Sequence, residues 1–529
     1  MHEHRLVPPN TITVESFLPP FSSFDWVEQH YAGTPAIHRC FSLARSFDCK
    51  TLVVETIPPV GLIADENEEI RSLELPHQQG GLFRLSFWSA EISSETSTSK
   101  MAPESLVGYA ILKEDVIEDE SESHKQWHVF EAVFRKYEHA HNCVPEAATF
   151  AICVHDTRFS LKGILYCQQN GLNKACAHVA LRSLLSRLVP EGDLSYTEMN
   201  AVARASGDSD YQPGNGLNVQ QIRAILTHYQ INYRDVDYSQ ATLDDENVRQ
   251  SQPYQKYLYA GIESGCGALL GFSMAGPEAK DEKHIIPFYG HTFNKDTWVP
   301  DAQSSYFDIG GGLGYIPSES WTSSFIGHDD NFGANFCIPR LYIQPEQAQY
   351  VVELLRPRAE YGGMLAEALS SQILYSICNQ IIPATHWQNR LFYYTDKQHV
   401  VLRSVCIDSN TYLDHLRSTP DWNGNHEDSD VVRILADFLP DLLWMVDISI
   451  PHLFPANERK LGEVILDAGK SIQADEEANY GAFVIARLPD QFVVLDKFED
   501  GNPCFETVPS SIRSHVEVWR HVPSEHPAI

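Results

Sequence analysis

From Cys176 to Leu188 the apolar residues Ala177, Ala180, Leu181, Leu184, Leu185 and Leu188 recur at the i, i+3, i+4, i+7 spacing of one helix face. That stripe fixes a helix with one side in a core, and the chain on either side of it has a different character. Before it, Thr51-Leu52-Val53-Val54, Leu82 to Trp88 and Leu106 to Leu112 are apolar runs of strand length; after it, Ala268 to Phe272 is another. Helices at Tyr196 to Ser206, from the N-cap Asn218 onward, and at Tyr254 to Ser264 before Gly265 complete a middle section of helices followed by strands. The fold class expected is α+β.

A chain of 529 residues exceeds what one hydrophobic core supports and divides into about three domains of ~150 residues. The shifts in pattern place them at 1–155 (β-rich), 156–345 (helices, then strands) and 346–529 (α+β). In the last, helical patterns near Gln347 to Leu355 and Met364 to Ile381 precede strands at His399 to Leu402, Leu443 to Ile450, Ala482 to Ala486 and Gln491 to Leu495.

With 71 acidic against 39 basic residues the formal charge is −32, and no basic patch offsets it, so nucleic acid is not an expected partner. Residues 1–20 lack a basic start followed by an apolar core, and no run of ~18 apolar residues occurs. The expectation is a cytoplasmic protein with no membrane partner. The 11 cysteines sit mostly in apolar runs, as thiols do in a reducing compartment, and no CxxC pair is present. No metal and no cofactor are expected.

Cys176 opens its helix, where unpaired N–H groups and the positive end of the helix dipole favour a thiolate. It follows the amide-rich run Gln168-Gln169-Asn170-Gly171, whose side chains are candidates to stabilise an oxyanion. Downstream, His284 opens the apolar strand Ile285-Ile286-Pro287-Phe288-Tyr289, and Asp301 ends Thr297-Trp298-Val299-Pro300. A turn at 294–296 would bring positions 284 and 301 level across a hairpin, whereas His291 falls nearer the turn. Thiol, imidazole and carboxylate in that order suit nucleophilic catalysis: the ring holds the thiol proton and later delivers it to the leaving group. His178, two positions past the thiol and on another face, is read as structural or substrate-adjacent.

Gln169-Asn170-Gly171 before Cys176, Gly216-Leu217-Asn218, Glu263-Ser264-Gly265, then His284 and Asp301 resemble a papain-like cysteine peptidase, with a compact layout most similar to bacterial double-glycine leader peptidases. The resemblance covers roughly 160–305. It implies a papain-like catalytic core, a helical half plus an antiparallel sheet half. It also implies Cys176 as nucleophile, His284 as base, Asp301 as orienting carboxylate, and Gln169 or Gln168 as oxyanion donor. Asn170 stands six residues before the cysteine and Gln169 seven.

The expected function is a thiol hydrolase that cleaves a peptide or isopeptide bond through an acyl-enzyme thioester. Its partners would be a protein or peptide substrate, with a further protein partner on the flanking domains. The same order also suits an acyltransferase of transglutaminase type, and an inert papain-like scaffold used for binding is the non-enzymatic alternative.

Overall fold

The computed structural model describes residues 3–74, 77–92, 100–118, 123–136, 142–143, 147–189, 193–207, 212, 214–238, 246–274, 283–292, 307–310, 312–421, 423–454, 459–472, 480–510 and 516–517.

The apolar runs of the first third pair into an antiparallel sheet. Its strands are β1 (Thr11–Ser16), β2 (Thr51–Thr56), β3 (His77–Trp88), β4 (Leu106–Glu118) and β5 (Ser123–Arg135). After the two-residue β6 (Asn142–Cys143), which joins another sheet, come β7 (Ala148–Val154) and β8 (Thr157–Tyr166), and the order is β1-β2-β3-β4-β5-β8-β7. This region also holds helices that the strand-rich reading did not include: α1 (Glu3–Leu6), α2 (Ser23–Tyr31), α3 (Pro35–Ser46) and α4 (Leu62–Ser72). The start of α3 is set by Thr34, whose hydroxyl accepts from the Ile37 N–H, and by Pro35 in the first turn.

The sheet is buried on both faces. From β5, Val129, Ala132 and Phe134 pack with Ile37, Cys40, Phe41 and Ala44 of α3. The alternate residues Phe130 and Val133 share a core with Leu181, Leu184 and Leu185 of α5 (Cys176–Leu185). That same core runs on to Leu269, Ile285 and Tyr289, so α5 lies between two sheets. Burial on both faces is why β5 carries apolar residues on both of its sides, Val129, Ala132 and Phe134 on one and Phe130 and Val133 on the other, rather than alternating with polar ones.

The expected helices follow as α6 (Tyr196–Ala205), α7 (Val219–His228) and α9 (Tyr254–Glu263), with a further short helix, α8 (Glu246–Ser251), before the last. Asn218 caps α7 in a reciprocal capping box with Gln221. The second sheet takes β9 (Tyr233–Asp237), β10 (Ala268–Ser273) and β11 (Lys283–Thr292). After β12 (Phe307–Gly310) and β13 (Leu313–Pro317), which leave for a third sheet, it continues with β14 (Ser324–Asp329), β15 (Gly333–Pro339) and β16 (Ala348–Leu354). The order is β15-β14-β11-β10-β16-β9, antiparallel throughout, with β6 beside β11. The helix expected near 347–355 is strand β16. Buried between β10 and β9, it turns Val351 into one core and Val352 and Leu354 into another, and a strand covered on both faces loses the period-2 signal.

The last third holds α10 (Gly363–Gln380), α11 (His386–Asp396), α12 (Ser409–Ser418) and α13 (Ser429–Ala436). Its strands are β17 (Val401–Asp408), β18 (Leu442–Ser449), β19 (Arg459–Lys460), β20 (Gly462–Asp467), β21 (Phe483–Leu488), β22 (Gln491–Glu499), β23 (Asn502–Pro509) and β24 (Val516–Glu517). The main sheet has the order β12-β13-β17-β18-β20-β21-β22-β23, and β19 pairs β24. Buried charges tie this sheet to the middle of the chain. Arg403 on β17 donates to Glu263 at the end of α9 (2.5 Å) and to Asp447 on β18 (3.0 Å), and Glu263 also meets His291 Nε2 at 2.7 Å. The architecture is therefore α+β with largely antiparallel sheets. No helix among the described residues is long and apolar enough to cross a membrane.

Candidate functional site

Cys176 is the first residue of α5 and half-buried, while most of the helix behind it is inaccessible. Packing on both sides therefore fixes where the thiol stands. The loop before it is held just as firmly. Asn170 is buried; its side-chain oxygen accepts from the Leu172 and Asn173 N–H groups, and its Nδ2 donates to Glu66 of α4 at 3.1 Å. Glu66 in turn accepts from Lys113 on β4 at 2.7 Å. Gly171 takes φ +73, and a Cβ there would come within 2.4 Å of Gln126 Nε2 on β5. The N-terminal sheet and its helix thus shape the approach to the thiol.

His284 is the second residue of β11, the strand that α5 packs on, and its side chain interacts with that of Cys176. Phe272, its cross-strand partner on β10, meets the ring edge-on with centroids 5.6 Å apart. On the other flank of β11, β14 runs antiparallel, so the start of β11 adjoins the end of β14. There His284 Nε2 faces two carboxylates, Asp330 Oδ1 at 3.3 Å and Asp329 Oδ2 at 3.5 Å. These are ion-pair separations, wider than a formed N–H···O bond. The other oxygen of Asp329 accepts from the Asn331 and Phe332 N–H groups, which makes this aspartate the opening of the β14–β15 turn.

Burial works against a charged imidazole, but the facing Asp329, the Cys176 contact and the charge of Asp330 outweigh it and push His284 up to about 10. Asp329 is raised by burial yet held below the usual carboxylate range overall by the ring and by its two backbone donors. Asp330 is pushed up to about 6 by burial, with Asp329 adding to the rise and His284 opposing it.

Beside the thiol is a narrow cleft lined by Val179, Ser183, Ile285, His328 and Asp330. His328 accepts from the Asn335 N–H through Nδ1 (3.2 Å), and burial together with the Arg187 charge lowers it to about 3, so it is a neutral wall of the cleft. His178 meets Asn200 Oδ1 at 2.9 Å from inside the core and is lowered to about 4, mainly by burial. His291 is enclosed between Glu263 and the Thr292 carbonyl.

The structure therefore brings together Cys176 and His284. Asp301, with the strand expected at 297–300, lies outside the described residues. The carboxylates at the ring are Asp329 and Asp330, which the sequence reading did not single out. Their signal was present: the apolar run Ser324 to Gly327 ends in His328-Asp329-Asp330-Asn331, a polar cluster at a strand end. The chain reaches it only after β12 and β13 have gone out to the third sheet, so proximity in sequence pointed elsewhere. Of the amide candidates, Gln168 accepts from the Val129 N–H (2.9 Å) and so is tied to β5, and Asn170 is engaged as described. Gln169, half-buried at the same loop, is the amide left for a ligand.

The chain matches no protein-family model, no curated protein and no solved structure.

Proposed function

We propose that the chain is a papain-like cysteine hydrolase acting on a peptide or isopeptide bond. In this reading Cys176 is the nucleophile, His284 the acid–base and Asp329 the orienting carboxylate, with Asp330 beside it. The observation that carries the reading is the register of β11 against β14, which sets the imidazole between a helix-opening thiol and a turn-anchored carboxylate. Nε2 is directed to the carboxylates, which leaves Nδ1 as the nitrogen to serve the thiol.

The chemistry follows from that order. The ring, which takes a proton readily here, holds the thiol's proton before the attack; Cys176 Sγ then attacks the substrate carbonyl, the ring gives the proton to the leaving amine, and a thioester remains. The ring then takes a proton from water, whose oxygen attacks the thioester carbonyl and releases the acid and the thiol. The backbone N–H of Cys176 at the helix start, with the Gln169 amide, is the donor pair for the oxyanion. The fit to the papain-like plan is that of a helix bearing the thiol packed on an antiparallel sheet bearing the base.

The test is site-resolved alkylation by iodoacetamide, read by peptide mass spectrometry in the full chain at pH 6.5. Cys176 should label at least about tenfold faster than in the His284→Ala variant, because the base that shares its proton is gone. Equal rates in the two proteins would leave Cys176 an ordinary thiol and favour the binding-scaffold alternative.

A further inference from the structure

Two clusters of His and carboxylate side chains in the described residues have ligand atoms close enough to hold one ion: His4, Glu131 and Asp193, and His284, Asp329 and Asp330. The first is already neutralised. Arg5 Nε lies 2.6 Å from Glu131, and Arg182 Nε lies 2.8 Å from Asp193, so arginines fill the place of a cation. Among the described residues no lysine or arginine is paired with Asp329 or Asp330, and the charges that act on Asp330 are those of His284 and Asp329.

Two buried carboxylates against one imidazole leave a negative charge without compensation away from water, an arrangement that is unfavourable unless a counter-charge arrives. Asp330 is 4 % exposed, and neither of its oxygens has a hydrogen-bond partner; His284 is 8 % exposed, and its Nε2 has none either. His284 Nε2 stands 3.3 Å from Asp330 Oδ1 and 3.5 Å from Asp329 Oδ2, longer than formed hydrogen bonds. Those gaps have a natural occupant. An ion with nitrogen and oxygen ligands at about 2.1 Å in tetrahedral geometry separates its ligands by about 3.4 Å.

We propose that His284 Nε2 and the carboxylates of Asp329 and Asp330 form a site for a divalent transition metal ion, Zn2+ by ligand type, and that the bound ion switches the thiol off. Asp329 offers Oδ2 because Oδ1 is committed to the turn. The fourth position is left for water, as in open zinc sites with three protein ligands. The regulatory half of the proposal rests on the cysteine hydrolase reading. When the metal takes the Nε2 lone pair, any proton there goes to solvent, and the ring's remaining proton sits on Nδ1. The ring then has no lone pair with which to accept the thiol proton, and the nucleophile loses its base without being touched by the metal.

The experiment uses the full chain stripped with a chelator. Zn2+ is titrated in competition with a chromophoric indicator in wild type, Cys176→Ser, Asp330→Asn and His284→Ala, and Cys176 alkylation is followed with and without the ion. Binding in C176S should stay within about threefold of wild type, whereas D330N and H284A should each weaken it at least about tenfold. Zn2+ should slow alkylation of Cys176 in wild type, a chelator should restore it, and D330N should lose the effect. Labelling of the other cysteines reports whether each variant is folded, and H284A serves if D330N is not. Binding lost in C176S but kept in D330N would place the ion on the sulfur and overturn the proposal. No binding in wild type, with H284A still slowing alkylation, would overturn the metal site and leave the hydrolase standing. Binding with the stated variant pattern, but with an alkylation rate indifferent to H284A, would support the site and remove the hydrolase.

Discussion

Replacing Arg403 by methionine tests whether the third sheet is fastened to the middle of the chain by charge. Arg403 is 2 % exposed and serves two carboxylates, Glu263 at 2.5 Å and Asp447 at 3.0 Å. Breaking a buried pair by removing one partner costs about 3–5 kcal/mol, mostly because the remaining charge is stranded. Here both carboxylates keep a second partner, His291 for Glu263 and Lys460 for Asp447, so the lower end applies, about 3 kcal/mol. Methionine approximates the volume, which keeps a cavity from adding to the effect. Urea unfolding followed by tryptophan fluorescence would read it, since the buried Trp444 lies on β18 beside β17. The double variant Glu263→Gln with Arg403→Met should cost less than the sum of the singles by at least about 1 kcal/mol. A loss under about 1 kcal/mol in R403M, or strict additivity in the pair, would refute the reasoning.

Three further outcomes follow from the same geometry. Glu353 on β16 is pushed up to about 8 by burial, with Glu367 adding and the Gly363 N–H opposing. Its folded form therefore keeps a proton that the unfolded chain releases near pH 4.3, and this contribution is present at low pH and lost as pH rises toward 8. Glu353→Gln should accordingly match wild type below about pH 4 and exceed it increasingly from there up to pH 8; a difference flat with pH in urea titrations would count against this. Asn170→Ala removes the link from the thiol's loop to Glu66 and should lower the Cys176 alkylation rate several-fold while costing about 1–3 kcal/mol, and a rate unchanged at reduced stability would make Asn170 purely structural. Leu181→Ala, at the point where α5 meets both sheets, should cost about 2–5 kcal/mol by thermal or urea unfolding, and a loss below 1 kcal/mol would contradict the shared core.

The parts of this chain legible in its sequence were those that carried a helical apolar period or a helix cap. The α5 stripe and the Asn218 cap stand where periodicity and cap chemistry put them. A strand covered on both sides was less legible: β16, between β10 and β9, has no alternation and was read as helix. Helix α3 had its signals, Thr34, Pro35 and the Ile37, Cys40, Phe41, Ala44 spacing, inside a region dominated by strand-length runs. For the site, Cys176 and His284 could be placed because each opens a regular element. The carboxylate could not, because which strand lies beside β11 is decided by tertiary pairing, and β14 arrives there after a detour through another sheet.

The position of α5 between two sheets also bears on how such a chain can change. Its apolar side chains touch β5 and β8 on one side and β11 on the other, so a substitution that shifts either sheet is felt at the thiol. The N-terminal strands are therefore not a detachable accessory. A shorter version that begins after them would leave one flank of the helix that Cys176 opens wet and the Asn170 loop without Glu66, so the two parts hold their shape only together.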